Sequence, residues 1–138
     1  MTNEVASFAK AIGAVRMVLQ TSSDERRLFS YPNYFQIPSG RLIIKISRIK
    51  RPFWGVGMKQ IEILEKHGVY YLVLLVSDKE GWFLSHVEIK KLRLGPKMPC
   101  WSEGNDKNEN QYKINPPLPD VNWFNSPEEF LRKMETSR

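Results

Sequence analysis

Cleaving a phosphodiester at a divalent cation takes carboxylates to hold the ion and a lysine near the attacking water. The sequence offers one such spacing, Asp78 followed by Glu88-Ile89-Lys90. Glu88 has a second use, because Ser85-His86-Val87-Glu88 is a capping box in which hydroxyl and carboxylate each satisfy a backbone N–H at a helix start. Asp24, Glu25, Glu62 and Glu65 lie around the basic stretch described next, and spacing alone does not converge them. Ser22-Ser23-Asp24-Glu25 is itself a capping pattern. There is no P-loop and no serine nucleophile elbow, and Gly55-Val56-Gly57 lacks the third glycine of a dinucleotide fingerprint. Cys100 reads as a small buried hydrophobe, and with only His67 and His86 beside it no zinc spacing exists. No metal site and no cofactor are expected, with Mg²⁺ entering only if the chain is a nuclease.

Binding chemistry is written more plainly than catalysis. The formal charge is +6, and between Arg26 and Gln60 stand eight basic residues (Arg26, Arg27, Arg41, Lys45, Arg48, Lys50, Arg51 and Lys59), while all 15 acidic residues lie elsewhere. A concentrated excess of this kind is the footprint of an anionic partner. Phe29, Tyr31, Tyr34, Phe35, Phe53 and Trp54 are interleaved with the cations. Aromatic faces beside Arg and Lys suit base stacking with phosphate neutralisation, which favours nucleic acid over a membrane surface. No window holds the run of apolar residues that a membrane helix needs, and MTNEVASFAK has neither a basic nor an apolar leader segment, so a cytoplasmic location is expected.

The elements that must position these residues follow from periodicity. Val5, Phe8, Ala9, Ile12, Val15 and Leu19 predict an amphipathic helix over residues 4–20. Residues 41–49 alternate as a strand with Leu42, Ile44 and Ile46 on a core face and Arg41, Lys45 and Ser47 on a basic one. Lys50-Arg51-Pro52 ends that strand, and residues 53–57 read as a glycine-softened loop. Met58 to Lys66 predicts a helix stopped by Gly68. The run VYYLVLLV over Val69–Val76 is a central strand buried on both faces, with Trp82-Phe83-Leu84 returning as its hairpin partner. A short helix through Leu92, a long polar loop over about 93–110, an edge strand over Gln111–Ile114 and a helix over about 126–136 complete the chain. The composition fits one domain over residues 1–138, of α+β or mixed α/β class. About four strands are expected, packed by N-terminal, middle and C-terminal helices.

From Arg41 to Glu88 the order is a lysine-bearing strand (IIKIS), a basic loop, a helix, an apolar strand (YYLVLLV) and GWFLSHVEI. This resembles the later half of PD-(D/E)XK nuclease domains, the restriction-endonuclease-like fold, in arrangement rather than in motif. Lys45 then matches the family lysine, and the acid expected two residues earlier is Ile43, so the metal-ligand pair is broken. The resemblance implies a domain that keeps DNA contact and has lost cleavage, or one whose acid comes from Asp24 or Glu25. Arg26, Arg27, Arg41, Lys45, Arg48, Lys50 and Arg51 are the expected phosphate contacts, with Phe53 and Trp54 stacking or wedging. Four or five such contacts give a log affinity that falls with log salt at a slope of roughly −4. The competing expectations are a metal-dependent endonuclease, with Asp24, Glu25, Lys45, Asp78, Glu88 and Lys90 as candidates, and an accessory module binding an acidic protein.

Overall fold

The computed structural model describes residues 2–17, 33–104 and 110–136. The first helix, α1 (Asn3–Ala11), opens on Thr2, whose Oγ1 accepts from the Val5 N–H at 3.3 Å. The periodicity predicts a longer helix, but Gly13 at φ 72° turns the chain out of it. Val15 and Arg16 then form a short strand, β1, opposite Gln36 and Phe35. The apolar spacing at Val15 is therefore not helical, and Val15 is exposed.

A mixed sheet forms around two strands that the apolar runs announce. Strand β2 (Tyr34–Ile37) turns tightly through Pro38-Ser39 into β3 (Gly40–Ile46), and the two pair antiparallel. Gly40 is required there, since a Cβ would sit 2.7 Å from the Val69 carbonyl oxygen. β3 lies parallel to β5 (Tyr70–Leu75), which is buried at every position, and β5 pairs antiparallel with β6 (Gly81–Ser85). A two-residue strand β9 (Trp123–Phe124) closes the far edge, giving the order β1-β2-β3-β5-β6-β9. Among the described residues this sheet has six strands. The added ones are short and flank the centre, where periodicity over two to four residues carries little signal.

Both faces of the sheet are covered. On one, α1 and the last helix, α4 (Pro127–Thr136), pack Val5, Phe8, Phe130 and Met134 on Leu42, Ile44, Val73 and Leu75. Phe8, Phe124 and Phe130 meet there with ring centroids 5.2–5.5 Å apart. On the other, helices α2 (Met58–Lys66) and α3 (His86–Leu94) bring Ile61, Leu64 and Ile89 against Ile43, Leu72 and Leu74. The same cluster takes in Trp54, Val56, Trp101, Tyr112 and Ile114 from a second sheet, β4 (Trp54–Gly57), β8 (Gln111–Ile114) and β7 (Trp101–Glu103). Three expectations change here. Residues 54–57 are a strand rather than a loop, β7 lies inside the stretch expected as polar loop, and β8 is the middle strand of its sheet rather than an edge. Residues 105–109 of that stretch lie outside the described residues.

Local signals near α3 and α4 translate directly. Ser85 and Glu88 form the reciprocal box, with Glu88 N–H on Ser85 Oγ at 3.2 Å and Ser85 N–H on Glu88 Oε1 at 3.0 Å. Ser126 Oγ accepts from the Glu129 N–H at 3.1 Å at the start of α4. No helix of the described residues is long and apolar enough to cross a membrane.

Candidate nucleic-acid interface

β3 runs out at Ile46, and Ser47 is still held in the sheet by its N–H on the Leu75 carbonyl at 2.9 Å. The chain then leaves the fold as a loop and returns at Trp54. Two bonds fix its base: Phe53 N–H donates to Ser47 Oγ at 3.3 Å, and Trp54 Nε1 donates to the same Leu75 carbonyl at 3.1 Å. Between these anchors stand Arg48, Ile49, Lys50, Arg51, Pro52 and Phe53. Ile49 is 54% exposed and Phe53 55%. Lys50 and Arg51 are exposed and make no hydrogen bond or ion pair among the described residues. The neighbouring β5–β6 turn carries Asp78, Lys79 and Glu80 and is tied internally by Glu80 N–H on Ser77 Oγ at 3.1 Å. Among the described residues the turn sets Lys79 beside Asp78 and Glu80, whereas Lys50 and Arg51 on the loop have no acidic neighbour in sequence.

The remaining basic residues of the run have separate fates. Arg48 reaches back to α1, where its guanidinium grips Glu4 through both Nε and Nη2, the latter at 2.6 Å. The hydrogen bonds from Arg48 hold the Glu4 carboxyl down at about 2, from an ordinary 4.5. Lys45 is half-buried on the face it shares with Ile43 and Leu74, and burial there pushes its ammonium pKa down. It has no carboxylate partner among the described residues. Arg41 donates to the Tyr34 hydroxyl at 2.8 Å and lies over that ring. At about 3.3 Å per strand residue, Arg41 is roughly 20 Å from Ser47, so it does not share a surface with the loop. The expectation of one basic face on β3 is corrected accordingly: α2, α3 and the second sheet cover that face, and Ile43 and Ser47 are buried on it.

Trp54 is corrected as a stacking residue. It is 2% exposed, packs edge-on to Trp82 at 6.0 Å and spends its N–H on a strand carbonyl, so its ring faces the core. Tyr34 and Phe35 are likewise buried in β2. Arg26, Arg27, Asp24, Glu25, Phe29 and Tyr31 lie outside the described residues.

The Asp78, Glu88 and Lys90 spacing does not assemble. Asp78 precedes β6 and Glu88 follows it, so the length of a five-residue strand separates them. Glu88 is fully engaged, one oxygen in the capping box and the other accepting from Asn122 Nδ2 at 2.8 Å. Lys90 is exposed on α3. Among the described residues no group of three or more His, Cys, Asp or Glu could hold a metal ion. Cys100 is buried, and burial raises its thiol pKa, which leaves it a poor nucleophile. Sequence reasoning missed Ile49 and Glu4. An exposed isoleucine has no sequence signal, and a partner 44 residues away cannot be read from spacing.

No family model matches the chain, and neither does any curated protein or solved structure.

Proposed function

We propose that this protein binds nucleic acid, with DNA as the first candidate, through the loop over residues 48–53. The observation that carries the reading is the pairing of two exposed cations, Lys50 and Arg51, that have no partner among the described residues, with an exposed Phe53 on one loop anchored at both ends. Cations neutralise phosphates, and an aromatic face offers stacking at low entropic cost when its loop is already held. Arg48 adds to this surface only where an anionic ligand draws it from Glu4.

Support for a degenerate restriction-endonuclease-like domain comes from chain order. Helix α1, the antiparallel strands β1 to β3, strand β4 of the second sheet, helix α2 and strand β5, parallel to β3, follow one another, with Lys45 on β3. Ile43, where the acid would stand, is fully buried among apolar side chains, a position that suits no metal ligand. Binding without cleavage is therefore the reading.

The test is retention of labelled duplex and single-stranded oligonucleotides across a salt series, with and without Mg²⁺, scoring cleavage alongside. Lys50 and Arg51 alone give a slope of roughly −2 in log affinity against log salt, steeper where Lys45 or Arg48 joins. Intact product with that slope supports the proposal. Mg²⁺-dependent cleavage replaces it with the endonuclease, and no retention at low salt leaves the acidic-protein partner.

A further inference from the structure

Ile49 and Phe53 are both more than half exposed, and they flank Lys50-Arg51-Pro52 on a loop closed by the Phe53 to Ser47 bond. Leaving two large apolar side chains in water on so short a loop is unfavourable in the free protein. Proline at position 52 fixes one backbone angle, and the two anchors at Leu75 and Ser47 hold the base, so the pair is presented rather than trailing. Apolar side chains set beside cations are the means by which proteins part a base step: the cations take nearby phosphates, and the apolar groups fill the opened gap.

We infer that Ile49 and Phe53 form a wedge that enters duplex DNA and unstacks a base step, while Lys50 and Arg51 hold the flanking phosphates. This rests on the nucleic-acid reading and adds that the bound duplex is deformed. Charge order on the loop favours this partner over a lipid surface. A membrane-inserting loop carries its apolar residues at the tip with cations behind, whereas here the cations lie between the apolar residues. The duplex is preferred over a single strand because an isoleucine has no face on which a base can stack, yet fills an opened step well.

The experiment uses the full chain and a duplex oligonucleotide carrying 2-aminopurine, whose fluorescence rises on unstacking, read together with end-to-end energy transfer for bending. Binding is expected to raise the 2-aminopurine signal several-fold and shorten the end-to-end distance. The double variant Ile49→Ala/Phe53→Ala is expected to keep the salt slope, lose the signal and the bend, and bind roughly ten-fold more weakly. Lys50→Ala/Arg51→Ala is expected to flatten the salt slope. All four positions are exposed, and an unchanged melting temperature verifies that each variant is folded. Duplex binding with an unchanged 2-aminopurine signal, or a signal indifferent to the double alanine variant, overturns the wedge and leaves the binding proposal standing. Preference for single strands lost with Phe53→Ala also overturns it. Absence of duplex binding overturns the wedge, and absence of both duplex and single-strand binding at low salt, with or without capture by phosphatidylserine vesicles, overturns both.

Discussion

Arg93 on α3 donates through Nη1 to Glu65 Oε1 on α2 at 2.7 Å, so that a charge pair joins two helices lying on the same face of the sheet. The same carboxylate oxygen accepts from the Tyr70 hydroxyl at 2.9 Å, and Arg93 Nε donates to the Tyr112 hydroxyl at 3.2 Å. Four elements, α2, α3, β5 and β8, are thereby tied at one point that bridges the two sheets. Neither side chain is well exposed, at 18% for Arg93 and 28% for Glu65, so removing one partner leaves the other poorly solvated.

Glu65→Ala is expected to destabilise the fold by about 2 kcal/mol, from the lost charged hydrogen bonds and the orphaned guanidinium. Urea unfolding measures it. Burial, then the bond to Glu65, pushes the Tyr70 hydroxyl well above the ordinary tyrosine value of 10.0. The unfolded chain therefore loses this proton first, and stability falls as pH rises above about 10. In Tyr70→Phe that part of the alkaline loss is absent, and the difference between the two midpoints from pH 8 to 11 reads it directly.

Glu4 and Arg48 supply an acid-side counterpart. With the folded carboxyl at about 2 and its ordinary value at 4.5, the pair's contribution is present above 4.5 and is lost as pH falls toward 2. Glu4→Gln is expected to flatten stability against pH in that window and to release Arg48 toward an anionic ligand. Salt dependence of oligonucleotide binding then steepens by up to about 0.9 in slope, whereas Arg48→Ala in the native background changes it less than Arg51→Ala does.

Phe53 and Trp54 are neighbours in sequence with opposite expected effects. Trp54→Ala empties a core site and is expected to cost about 3–5 kcal/mol, lowering the unfolding midpoint sharply. Phe53→Ala removes an exposed ring and is expected to leave stability within about 0.5 kcal/mol while weakening oligonucleotide retention. A thermal melt and a binding isotherm on each variant separate the two roles.

Lys45 is half-buried without a carboxylate partner among the described residues. Lys45→Met keeps an unbranched side chain one atom shorter and removes the charge, so it is expected to raise stability by roughly 1 kcal/mol. Because burial lowers the folded pKa below the ordinary 10.5, the unfolded state binds the extra proton, and native stability climbs as pH approaches 10.5. The gain from Lys45→Met shrinks over the same range, which paired denaturation curves at pH 7 and pH 10 would show.

The sequence by itself determined those elements whose signal is local. The run from Tyr70 to Leu75 is a fully buried strand because six largely apolar residues in succession, three of them β-formers, leave no polar face. The Met58–Lys66 and Pro127–Thr136 helices, and the Ser85–Glu88 box, follow from spacing and capping over three or four residues. Tertiary structure decided the rest. Trp54 and Phe53 carry the same aromatic signal in sequence, yet one is sealed by strand β8 and Trp82 while the other stands in water. Lys45 and Arg41 alternate with apolar residues as if on a solvated face, and only the arrival of α2, α3 and a second sheet covers that face. Arg48 looks identical to Arg51 until α1 brings Glu4 against it. In each case the outcome depends on contacts between residues far apart in the chain, whose energies appear only once the loop-closure entropy between them has been met by packing.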